Sequence, residues 1–224
     1  MTMLLLIIAI ILPMWAQFKV KSTFNKYIKV AASKGYTGAD VAKRILQSEG
    51  LYDVTVEVTQ GYLSDHYDPR HRAVRLSQEV YQGRSIAALG VAAHEVGHAI
   101  QHADSYGPLE IRSSLAPVAS FSSKAAFPLI LIGLFMGQPA FINFGIYFFV
   151  AVVFFQLVTL PVEFNASSRA VLALEGGGFL ASNEVAPTKK VLSAAAFTYV
   201  AAALVGILEL VRLILISRML GGDE

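Results

Sequence analysis

His94-Glu95-Val96-Gly97-His98 places two imidazoles four residues apart. On a helix, residues i and i+4 share a face about one turn apart, so both rings can reach a single tetrahedral zinc ion. Glu95 sits beside that ion. Its carboxylate can take a proton from an attacking water and later hand it to a leaving amine. The five-residue pattern is short and arises by chance in many chains, but its surroundings give it weight. Ile86–Asp104 reads as a helix of small and apolar residues, in which two histidines and a glutamate are costly to bury without a purpose. The competing reading is a helix whose histidines are satisfied by ordinary core hydrogen bonds.

A catalytic zinc usually has three protein ligands and one open position. A third histidine six residues after His98 would complete one such set, but position 104 is aspartate. His102 lies a further turn along the same helix, too far to close a tetrahedron, and reads as a core or supporting residue. Glu163 is the better third ligand. It stands where an apolar run ends, in Leu160-Pro-Val-Glu-Phe-Asn-Ala-Ser167; the alternative is an interfacial charge. Glu163, Ser167 and Ala170 line one stripe of a helix. The short side chains of Ala166 and Ser167 would let this helix approach the histidine helix closely, and Ser167 could then hydrogen-bond a zinc-bound histidine.

Other polar residues could assist. In Ser64-Asp-His-Tyr-Asp-Pro-Arg70, His66 or Tyr67 could stabilise an oxyanion; a turn held by Asp65 and Asp68 is the plainer reading. Ala73–Ser77 reads as a strand that could pair with an extended substrate. Arg169 is a second electrophile candidate, or else an anchor at the membrane interface. Gly176-Gly177-Gly178 lacks the Lys-Ser/Thr of a phosphate loop and reads as a hinge.

The elements that must position these groups are mostly apolar. Of 224 residues, 55% are hydrophobic and only 15% charged, against about 25% charged in a soluble domain; mean hydropathy is +0.56. A membrane protein is implied. The absence of cysteine excludes disulfides, thiolate metal sites and a cysteine nucleophile. The run from Lys124 to Glu163 is long enough for two crossings at about 20 residues each. Gly137-Gln138-Pro139 interrupts it, predicting a hairpin of Ala116–Met136 and Ala140–Val162. Val191 to Leu220 is a further span; its Glu209 and Arg212, three apart, can pair on one face. Met3–Ala16 reads as an uncleaved anchor rather than a signal peptide. No positive segment precedes it, no small-residue cleavage site follows, and Trp15 marks an interface.

The expected layout is therefore an anchor over 1–18, a soluble domain over 19–115, a transmembrane hairpin over 116–162, a soluble helix over 163–190 and a last span over 191–220. Within 19–115, Thr37-Gly-Ala-Asp40 opens a helix over Gly38–Glu49 in the manner of a capping box. Alternation over Tyr52–Val58 predicts a strand, and Gly61–Arg70 reads as loop. Lys19, Lys21, Lys26, Lys29 and Lys34 crowd the exit of the first span, Arg112 and Lys124 precede the apolar run of the hairpin, Arg169, Lys189 and Lys190 follow it, and the hairpin turn has no charge. Such placement puts the soluble segments in the cytoplasm and both termini outside, although Arg212 and Arg218 pull the other way. The basic residues lack the interleaved aromatics of a nucleic-acid surface. The lipid bilayer is the simpler partner.

HEVGHAIQH, Tyr106-Gly-Pro-Leu-Glu-Ile-Arg112, Leu63-Ser-Asp-His-Tyr-Asp-Pro-Arg70, Trp15-Ala-Gln-Phe-Lys-Val-Lys21 and Pro161-Val-Glu-Phe-Asn-Ala-Ser-Ser-Arg169 together resemble the bacterial YugP-like membrane zinc metallopeptidases, nearly end to end. The wider similarity is to membrane gluzincins, which carry a glutamate ligand after a transmembrane hairpin within a Glu-x-x-x-Asp pattern. Glu163 matches that ligand; Ser167 departs from the aspartate.

The expectation is a mainly α membrane protein with about four transmembrane helices and a small cytoplasmic α+β zincin-like catalytic domain. It would be a multi-pass protein of the cell (inner) membrane, using Zn2+ held by His94, His98 and Glu163, with Glu95 catalytic and His66, Ser167 and Arg169 in support. The expected substrate is a polypeptide, including membrane-associated ones. A zinc-dependent hydrolase of a lipid and a non-catalytic zinc-stabilised scaffold are the alternatives, and a homo-oligomer stays open.

Overall fold

The computed structural model describes residues 2–221. The elements run α1 (Thr2–Tyr27), α2 (Gly38–Ser48), β1 (Thr55–Thr59), β2 (His66–Asp68), β3 (Ala73–Ser77), α3 (Gln78–Tyr81), α4 (Ile86–Ala103), α5 (Gly107–Met136), α6 (Pro139–Gly176) and α7 (Ser182–Gly221). Residues 2–16, 110–161 and 198–221 form one unit, and residues 17–109 and 162–197 a second.

Among the described residues, α1, α5, α6 and α7 are long and apolar enough to cross a bilayer. The hairpin turn falls at Gly137-Gln138 as expected. Gly137 takes φ +61° there, and Pro139 occupies the first turn of α6, where its missing N–H costs nothing. Both arms are longer than the apolar run suggests: α5 already begins at Gly107, and α6 continues to Gly176. A helix need not stop where its hydrophobicity does.

In the first unit the arms of the hairpin meet through glycine. A Cβ on Gly133 would lie 2.5 Å from the Ile142 side chain, and one on Gly145 would lie 2.9 Å from the Ala126 carbonyl. Only a missing side chain permits such approach. Ile130, Ile142, Ile146 and Leu213 form the core here. The charges expected to pair do so: Arg212 Nε donates to Glu209 at 2.8 Å. Phe121, Phe127, Phe135, Tyr147 and Phe154 point outward, as side chains facing lipid would.

The second unit holds a three-stranded mixed sheet of order β1-β3-β2. β1 runs parallel to β3 with Thr55 opposite Ala73, and β2 runs antiparallel to it with Tyr67 opposite Val74. Two expectations fail at this point. The stretch read as loop contains β2, a strand too short to show alternation. And Ala73–Ser77, expected to receive a substrate strand, is the central strand with both edges occupied; β1 and β2 are the edges. Val74, Leu76, Val56 and Tyr67 turn to the core, with Val41, Ile45, Leu89, Val96 and Leu174.

Local signals set the helices that carry the site. Thr37 Oγ1 accepts from Asp40 N, and Asp40 Oδ2 accepts from Thr37 N, both at 3.0 Å. This closes the capping box of α2. Ser85 Oγ caps α4 by accepting from Ala88 N at 3.1 Å. Gly97 lies directly against α6: a Cβ there would be 2.6 Å from the Ala166 carbonyl. Small residues on both helices thus produce the close approach anticipated from Ala166 and Ser167. Gly178, at φ +67°, ends the chain's passage out of α6.

Candidate active site

α4 carries His94, Glu95 and His98 on a helix that is almost wholly buried, and α6 brings Glu163 against them. His94 Nε2 lies 3.4 Å and His98 Nε2 3.7 Å from Glu163 Oε2. The three ligand atoms all fall within 4.8 Å of one another. A tetrahedral zinc with bonds of about 2.0–2.2 Å separates its ligands by about 3.4 Å, so the two histidine–glutamate distances fit such an ion. The two imidazoles stand edge to face, 4.8 Å between centroids, each turning Nε2 inward.

The electrostatics favour a cation at this point. Glu163 is 2% exposed, and Glu95 and His98 9% each. Burial opposes a charge on His98, yet the carboxylates of Glu163 and Glu95 and the contact with Gln101 outweigh it and hold the imidazole pKa above its ordinary value. A pocket with two buried carboxylates draws positive charge, and a divalent ion supplies it while leaving the histidines neutral. The donor set of two imidazole nitrogens and one carboxylate, which leaves the fourth position of a tetrahedral ion to water or substrate, suits zinc.

Each histidine is held from behind by its other nitrogen, as metal-binding histidines usually are. Ser167 Oγ lies 3.2 Å from His94 Nδ1, the contact anticipated for Ser167. His98 Nδ1 lies 2.9 Å from Gln101 Oε1, a partner the sequence reading did not identify. Its only advance signal was its spacing, three residues after His98 and so on the same face.

The remaining expected groups are placed as follows. His66 is exposed on β2 and its Nδ1 donates to the Ser64 carbonyl at 2.8 Å. In the sheet register it shares the Arg75 face, away from the core. Tyr67, its neighbour, faces α4, with its hydroxyl 2.8 Å from His102 Nδ1. Arg169 does not present a free guanidinium: Nε donates to Asn165 at 2.8 Å and the NH1 group pairs with Asp104 at 2.6 Å. Asp68 anchors the turn after β2 through Arg70 N and His71 N. Asp65 instead reaches Ser77, accepting from its N–H at 2.7 Å and its hydroxyl at 3.0 Å.

Comparison with known proteins adds to this geometry. Residues 2–218 match the model of a family described as "Putative neutral zinc metallopeptidase". The chain is 57% identical over 220 residues to "Putative membrane protease YugP" of Bacillus subtilis (strain 168), covering 98% of this chain and 97% of that one. No solved structure matches.

Proposed function

This chain belongs to the neutral zinc metallopeptidase family, and we propose that it is an integral membrane zinc-dependent endopeptidase whose catalytic unit faces the cytoplasm. The observation that carries the reading is the convergence of His94, His98 and Glu163 on one point, with Glu95 next to His94 on α4 and near enough to His98 for its charge to act on that ring.

His94, His98 and Glu163 would hold the zinc, which supplies Lewis acidity to polarise the scissile carbonyl and acidify the attacking water. Glu95 takes the proton of that water as the new C–O bond forms, then delivers it to the amine as the C–N bond breaks. Burial of Glu95 keeps bulk water from competing for the proton. An extended peptide can add to the free edge of β2, which carries main-chain groups unused by β3. Tyr67 rather than His66 is then the edge-strand side chain on the α4 side, with its hydroxyl against His102 Nδ1. Placement of lysine and arginine supports the cytoplasmic orientation. Glu163 lies on α6, a helix long and apolar enough to cross the bilayer, which favours membrane-associated or unfolded polypeptide as substrate.

Purified protein loaded with zinc tests the reading on casein-like and lipid substrates, beside Glu95→Gln. Cleavage of peptide by wild type alone is expected. Lipid hydrolysis without proteolysis would move the substrate class. Zinc binding with no turnover of either substrate would favour a scaffold.

A further inference from the structure

We propose that Gln101 is a positioning residue: its amide holds His98 in the tautomer that offers Nε2 to the metal, and α6 dictates which way that amide faces. The proposal rests on the reading of His98 as a zinc ligand.

Gln101 is fully buried in α4. Its Nε2 lies 2.8 Å from the Val162 carbonyl and 3.0 Å from Asn165 Oδ1, both on α6. Its Oε1 faces His98 Nδ1 at 2.9 Å. The polarity of this chain of contacts is fixed by groups that act in one direction only. A main-chain carbonyl can only accept, so the end of the amide against Val162 must be nitrogen. Asn165 gives the same answer independently. Arg169 Nε, which can only donate, lies 2.8 Å from Asn165 Oδ1; that atom is therefore oxygen, and it too requires a donor from Gln101. Asp104, paired with the Arg169 NH1 group at 2.6 Å, holds the guanidinium in place.

With both amide protons committed to α6, only oxygen remains for His98. In the neutral ring that a metal takes, Nδ1 must then carry the single imidazole proton, and Nε2 is the bare nitrogen. That nitrogen is the one turned toward Glu163. A carboxylate at position 101 could also accept from Nδ1, but it would set an acceptor against two acceptors on α6. An amide is the side chain that meets both demands. His94 is held differently: the Ser167 hydroxyl can accept or donate, so it supports that ring without dictating its tautomer. Gln101 also ties the geometry of the ligand on α4 to the helix that carries Glu163.

The test is the zinc dissociation constant of the full chain in detergent, by chelator competition, with thermal unfolding of the zinc-free protein as the control for folding. Gln101→Met keeps the volume and removes the acceptor; it should weaken zinc by about 10–100-fold. Asn165→Leu should weaken zinc less, by about 3–10-fold, since Val162 still holds the amide. Asn165→Asp should leave zinc binding unchanged, because position 165 needs only to accept from both neighbours. In the Gln101→Met background Asn165→Leu should cost nothing more, while Ser167→Ala should add its full effect. The visible bands of the cobalt(II)-loaded protein should shift in Gln101→Met and remain in Asn165→Asp.

Wild-type protein that binds no zinc would overturn the ligand reading and this proposal with it. Zinc binding by wild type with the affinity of Gln101→Met unchanged, or with additive losses at 101 and 165, would overturn the proposal alone. If Gln101→Met does not fold, the contrast at position 165 decides: equal effects of Leu and Asp there overturn it.

Discussion

His94 Nε2 and Glu163 Oε2 stand 3.4 Å apart although they belong to different helices, α4 and α6. The group that could hold a metal ion draws His94 and His98 from one face of α4 and Glu163 from α6. The pairing depends on helix approach as much as on ligand identity, and the two can be tested separately.

Ligand identity is tested at Glu163 and His102. Glu163→Ala removes one of three ligands and leaves two imidazoles beside a cavity, so zinc should be lost on gel filtration in the presence of mild chelator. His102 is exposed and engaged with Tyr67, so His102→Ala should keep its zinc. Metal analysis of both variants checks this. Zinc retained in the first and lost in the second would assign the third ligand to His102.

Helix approach is tested at Gly97. A methyl there would meet the Ala166 carbonyl at 2.6 Å, and main chain cannot yield as a flexible side chain does. Gly97→Ala should cost about 1–3 kcal/mol as overpacking, in spite of the higher helix propensity of alanine. It should also weaken zinc, because Glu163 moves with α6. Thermal unfolding and chelator competition read the two effects. A variant as stable as wild type, with zinc intact, would show that the helices do not need this contact.

Much of this site was legible because its chemistry follows helical spacing. The i, i+4 histidines define a face by themselves, and Glu163 was marked by its position where the apolar run ends. Gln101 was not marked: its importance comes from the Val162 carbonyl and Asn165, which lie far away in sequence. A lone glutamine on an alanine-rich helix resembles any polar residue. The fold shows the same division. The capping box and Ala73–Ser77 were readable from local pattern, with their limits. That Ala73–Ser77 is central was not, since strand order is decided by pairing partners, and β2 at three residues is below the length where alternation can be read. Arg169 looked available for catalysis because its partners Asp104 and Asn165 become neighbours only when α4 and α6 pack.

Orientation in the membrane can be measured on the cysteine-free background. Gln138 lies at the exposed hairpin turn and Gln47 on the exposed face of α2. With Gln138→Cys, an impermeant thiol reagent added to intact cells should label the protein; with Gln47→Cys it should not label until the membrane is opened. The positive-inside distribution motivates this outcome. Labelling of position 47 alone would invert the topology.

The last prediction concerns Asp65, whose carboxylate is directed to Ser77. Burial pushes its pKa above the ordinary carboxylate value, and the negative charge of Glu95 adds to the rise; the N–H and hydroxyl of Ser77 pull the other way but do not cancel it. The folded state therefore holds this proton more tightly than the unfolded chain does. Stability from that proton is fully present below the unfolded pKa, near pH 4 by the ordinary value of about 3.9 for Asp, and is lost as pH rises through the folded pKa. Asp65→Asn keeps an acceptor for Ser77 and has no proton to lose. Its unfolding midpoint should match wild type at about pH 4 and exceed it increasingly toward neutral pH. The comparison belongs in zinc-free protein, since metal binding carries its own pH dependence. A wild type that gains on the variant as pH rises would mean that the Ser77 donors outweigh burial and that the fold prefers the ionised carboxylate.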